Sequence, residues 1–223
     1  MNTRLILSAV FPCVLFFCAA KSISAQNLDI SSGGQPTIAG ALSGSVTGSA
    51  SVLNNLSVTI NFGEISPLNA NSLVKVVVPI AIRGDSPYKV SVSLVGLANA
   101  NPQALQRADV GFGARNMRAM GARAQVCNNS NHIFYPPFNN DPANTVTIGA
   151  NGRATYQSSL SNISGSTVIL SGPRLSTSFD GNRRTDDGYA FDAIFAITPQ
   201  FFAAGASSAT LTFTISTGPN VPC

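Results

Sequence analysis

Charge is what this 223-residue chain has least of: Asp, Glu, Lys and Arg together make up 10% of it, and there is one histidine, His132. With a single imidazole, any Ser-His-Asp or Cys-His mechanism has to run through His132, and neither a Gly-x-Ser-x-Gly elbow nor a His-Glu-x-x-His helix occurs. His132 follows Asn128-Asn129-Ser130-Asn131 and therefore reads as a solvated loop residue. The carboxylates Glu64, Asp109, Asp141, Asp180, Asp186, Asp187 and Asp192 would make a glycosidase only if two of them faced each other. Most stand in turn contexts such as Asp180-Gly181 and Asp187-Gly188, where aspartate is favoured for backbone reasons. The interval Asp180 to Asp187 offers oxygen ligands for calcium, but it holds Arg183 and Arg184 and departs from the EF-hand spacing. The reading is non-enzymatic, with no cofactor and no metal.

The first residues look like an export signal. Arg4 supplies a positive start, Leu5–Ala20 is apolar, and Ser22, Ser24 and Ala25 suit cleavage after Ala25, with Ala20 a competing site. Pro12 precedes Cys13 and Phe17 precedes Cys18, so the small residue that a lipoprotein signal needs is missing. Removal of residues 1–25 takes Arg4 and Lys21 with it, leaving 11 basic against 9 acidic residues and a net charge of +2. No concentrated basic stripe remains for nucleic acid, and no membrane span is expected after cleavage. Cys127 and Cys223 are then the remaining cysteines, and in an oxidising compartment an even pair is expected to form one disulfide. The expected location is secreted or cell-surface, with periplasmic transit in a bacterium that has two membranes.

Long helical periodicity is absent, and period two dominates. Tyr189, Phe191, Ala193, Phe195 and Ile197 alternate, as do Ala209, Leu211, Phe213 and Ile215, so two strands are expected and, across a short connection, a terminal hairpin. Val74–Ile82 and Tyr88–Leu94, separated by Gly84-Asp85-Ser86-Pro87, predict a second hairpin, with Pro79 marking an edge or a bulge. Leu56, Val58, Ile60 and Phe62 form another half-buried strand. Shorter strands are expected near 109–114, 145–148, 154–160 and 167–170, and 115–123 is ambiguous. Arg115, Arg118 and Arg123 there are either a solvated face or a contact for an anionic partner.

Residues 26–36 read as a mobile leader. Residues 37–52 alternate strictly, with Ile38, Leu42, Val46 and Val52 on one parity, which suits either a first strand of the chain's own domain or a strand donated to a neighbouring copy. In the stretch 128–142, Phe134, Tyr135 and Phe138 are candidates for stacking on a sugar, and equally for capping one end of the fold. Together these segments predict an all-β antiparallel sandwich over residues 53–223, with its core on the parities of Leu56, Val76, Val90, Phe191 and Phe213.

The run Phe62-Gly63, Pro67, a Val-rich strand and Gly84-Asp85-Ser86-Pro87-Tyr88-Lys89-Val90-Ser91-Val92 resembles secreted spore-coat-protein-U-like domains and, more remotely, chaperone-usher pilins. The resemblance covers about a third of the chain. Ile80, Ala81 and Ile82 stand where such domains often carry a cysteine, and Pro222 where pilins often carry a tyrosine. It implies an immunoglobulin-like sandwich and a structural subunit of a surface fibre or coat, engaged in adhesion or biofilm and joined to copies of itself or to other surface subunits by strand pairing. The alternative is a secreted carbohydrate-binding module for surface glycans that uses the aromatic loop.

Overall fold

Two antiparallel sheets face each other in the computed structural model, which describes residues 28–40, 45–48, 54–63, 73–120, 129–150, 152–175, 188–200, 202–203 and 207–222. Thirteen strands occur among them: β1 (Leu28–Ser32), β2 (Thr37–Ala39), β3 (Ser45–Gly48), β4 (Asn55–Asn61), β5 (Val74–Gly84), β6 (Tyr88–Gly96), β7 (Gly111–Ala119), β8 (Ile133–Phe134), β9 (Thr147–Ile148), β10 (Ala154–Thr155), β11 (Thr167–Gly172), β12 (Gly188–Ile197) and β13 (Ser208–Thr217). The first sheet runs β1-β5-β12-β7, with β2 also on β5; the second runs β3-β4-β13-β6-β11-β8, and β9 and β10 make a small ribbon. The all-β sandwich expected from the alternation is present.

The expected parities build the core. Leu56, Val76, Val90, Phe191 and Phe213 are all buried, and Phe112 of the first sheet lies 6.4 Å from Phe213 of the second, ring to ring. Outward positions of the second sheet carry hydroxyls that pair across strands: Thr59 with Thr210 at 2.9 Å and Ser57 with Thr212 at 3.2 Å. Such pairs satisfy side chains that could not help fill the core.

Both predicted hairpins are corrected. β12 pairs with β5 and β7 while β13 pairs with β4 and β6, so these two successive strands belong to opposite sheets. β5 and β6 likewise belong to opposite sheets, and the turn after Gly84 carries the chain over the core. Alternation says which side chains go inward. It is the same whether the next strand lies beside its predecessor or across the core from it, about 10 Å away.

The expected mobile leader is also corrected, because Leu28, Asp29 and Ile30 are buried in β1, which pairs with the end of β5. Pro79 explains why the edge strand then breaks. The Pro79 carbonyl accepts from Gly33 N–H at 2.8 Å, so its side of β5 facing the edge has an acceptor and no donor. The ladder lapses there and resumes as β2, opposite Lys75–Val77. Residues 37–39 and 45–48 thus lie along the edges of the two sheets of their own chain, β2 on β5 and β3 on β4. The expected single long strand is not formed.

β7 extends further than the sequence suggested, through the ambiguous segment to Ala119. Asn116 there adopts φ 61°, and the register against β12 shifts beside it, a bulge that scrambles the alternation. The free side of β7 is covered by the 138–160 segment: Ala114 N–H donates to Phe138 O at 2.7 Å, and Phe112 N–H to Ser158 O at 3.1 Å. Glycine is required beneath this cover, since a Cβ at Gly113 would fall on the Asn140 carbonyl. Gly113→Ala is expected to cost about 1–3 kcal/mol by overpacking, measured by thermal unfolding.

Candidate functional site

The aromatic loop divides between core and surface. Phe138 is buried against Phe112, with centroids 5.4 Å apart, and its N–H donates to Tyr135 O at 3.0 Å. Phe134 sits in β8, the edge strand beside β11, and meets Phe191 edge-on at 6.2 Å. Both turn inward. Tyr135 turns outward, held by its N–H to Ile169 O at 2.9 Å and by an Oη to Ser171 Oγ hydrogen bond of 2.8 Å. Of the three residues expected to contact a ligand, only Tyr135 therefore reaches an open site. That site is a groove of about 430 Å³ lined by Lys89, Tyr135, Pro136, Val168, Ser171 and Pro219.

Lys89 is the residue that sequence reasoning missed. Its place on the solvent parity of β6 was readable, but the approach of β8 and of Pro219 to it depends on pairings between distant segments. Lys89 has Ser171 of β11 on one side and Ser216 of β13 on the other.

His132 is not a solvated loop residue. It is buried, its Nδ1 shares a hydrogen bond of 2.7 Å with Tyr88 Oη, and its ring lies 4.5 Å from that of Tyr189. Burial lowers its pKa to about 4 and raises that of Tyr88, to which Tyr189 adds a smaller push, so the group is a neutral packing cluster at neutral pH. Gly172 makes room for it, since a Cβ there would collide with the imidazole.

Those of the candidate carboxylates that lie among the described residues are engaged with cations. Asp109 meets Arg153 at 3.4 Å, Asp192 meets Arg118 at 2.8 Å, and Asp141 bonds Lys75. Asp109 and Arg153 also border a second, polar depression of about 610 Å³. Arg118 thus has an intramolecular role, and Arg115 stands opposite Asp192 in the register. Among the described residues no three His, Cys, Asp or Glu side chains form a group able to hold a metal ion. No helix among them is long and apolar enough to cross a membrane.

Several expected sites lie outside the described residues: Cys127, Cys223, Leu42, Val52, Arg123, Glu64 and the interval Asp180 to Asp187. Ile38 is 42% exposed in β2, and Val46 is half-buried in β3 against the core. Compared with family models, with curated proteins and with solved structures, the chain matches none of them.

Proposed function

We propose that this chain is an exported, non-enzymatic structural subunit of a cell surface, an immunoglobulin-like sandwich of the kind that builds a fibre or coat. One observation carries the reading: the N-terminal segment covers an edge of each sheet with short strands, and all three residues of β2 are exposed. A strand so lightly held is suited to exchange for the same segment of another copy, because main-chain bonds supply the affinity and alternate side chains the register. Ile38, Leu42, Val46 and Val52 are the residues such an exchange would use. Two sheets between which the chain passes from β5 to β6 and from β12 to β13 suit the immunoglobulin-like class.

Negative-stain imaging and size-exclusion chromatography of the chain lacking residues 1–25 test this directly. Fibres or ordered oligomers are expected. A protein that stays monomeric at high concentration, with or without other surface subunits, overturns the reading. The second reading, a secreted carbohydrate-binding module, is favoured by the groove at Tyr135, and glycan binding by a strictly monomeric protein would select it.

The Cys127–Cys223 disulfide belongs to the same proposal. Asn131 Nδ2 lies 3.5 Å from Pro222 O, which brings the chain's last residues beside the segment that follows Cys127. Thiol labelling of the exported protein is expected to find both cysteines blocked until a reductant is added.

A further inference from the structure

We infer that the groove at Tyr135 binds a sugar bearing a carboxylate, as in a uronic-acid polysaccharide. The inference rests on the glycan reading above and adds the charge of the ligand. Tyr135 offers a ring whose hydroxyl is already fixed on Ser171, so the ring face is preset for the C–H face of a pyranose. Pro136, Pro219 and Val168, the last 36% exposed, complete a rigid apolar lining of the kind that costs little ordering when a ligand arrives.

Charge decides the class of ligand. Lys89 is the one charged residue in the six strands of the second sheet, and it has no ion pair among the described residues. No acid lines the groove. The cations of the ion pairs among the described residues, Lys75, Arg83, Arg118 and Arg153, each face an aspartate. Lys89 instead stands beside an aromatic platform on a face of serines and threonines, where its field is cancelled by nothing on the sheet. A carboxylate on a bound sugar completes that arrangement with a charge-assisted hydrogen bond. A neutral sugar leaves the ammonium unpaired.

Isothermal titration of the chain lacking residues 1–25 with polygalacturonate, and with the same polymer fully methyl-esterified, tests this. Binding of the acid form is expected to exceed that of the ester by about tenfold or more and to weaken as salt is raised. Lys89→Gln should remove that preference, and Val168→Glu, at an exposed position, should abolish binding of the acid form while the unfolding temperature is kept. Equal binding of both polymers, lost in Tyr135→Ala, would overturn the acidic ligand and leave the glycan reading standing. Binding of neither polymer would likewise overturn the acidic ligand.

Discussion

Replacing Asp29 with alanine is expected to lower the unfolding free energy by about 3–5 kcal/mol, because a buried ion pair broken on one side leaves its other charge uncompensated. Asp29 of β1 and Arg83 of β5 face each other across the edge ladder, both buried, with Arg83 Nη1 3.7 Å from Asp29 Oδ2. Arg83 has one further hold, its 3.0 Å hydrogen bond to Ser31 Oγ. Asp29 Oδ1 and Arg83 Nε have no partner among the described residues, so the pair is poorly compensated as it stands. It follows that the double replacement Asp29→Leu with Arg83→Met should be neutral or stabilising, although it removes the same contact. Urea unfolding of the three variants checks the contrast. A double variant as unstable as Asp29→Ala would mean that the pair is a net stabiliser. For the subunit reading, Asp29→Ala should also loosen β1 and shift the protein toward oligomers in size-exclusion chromatography.

Acidification is expected to destabilise the protein through His132, beginning well above the pH at which carboxylates titrate. Its folded pKa of about 4 lies below the ordinary histidine value of 6.5, so the unfolded chain takes up the proton first. The stability contributed by the neutral ring is complete above pH 6.5 and is lost as pH falls from there toward 4. About 2 kcal/mol should be gone by pH 5 and about 3 kcal/mol once both states are protonated. His132→Phe should start less stable, since Tyr88 loses its partner, yet its unfolding free energy should be flat between pH 7 and 5. An unchanged slope in the variant would assign the pH dependence to another group.

The inward faces of the main strands were legible in the sequence because burial on one side of a sheet imposes period two, and Leu56, Val76, Val90, Phe191 and Phe213 obey it. Which strand neighbours which was not legible. The two expected hairpins failed because an in-sheet turn and a crossing over the core leave the same alternation behind. At β7 the bulge at Asn116 hid the strand's continuation to Ala119, and at residues 28–32 a polar, Gly-rich neighbourhood disguised a strand whose Leu28 and Ile30 enter the core. His132 was misread for a related reason. Its local sequence is that of a loop, and its burial comes from Tyr88 and Tyr189, 44 and 57 positions away in the chain. Of the ligand candidates, only the aromatic character of 134–138 was visible, not which ring would face outward.

The lapse in the ladder at Pro79 means that the cover over the first sheet's edge is laid in two lengths of unequal grip. β1 brings Leu28, Asp29 and Ile30 into the interior, whereas β2 brings no buried side chain at all. Local opening draws on the least buried segments first, so β2 can lift while β1 stays seated. Lifting it bares the main-chain groups of Lys75 and Val77, two residues of an interior strand, without exposing the core beneath β1. For the proposed strand exchange the edge would therefore offer a toehold: a short vacancy from which an arriving strand would displace the resident one step by step, with no stage at which the whole edge stands empty.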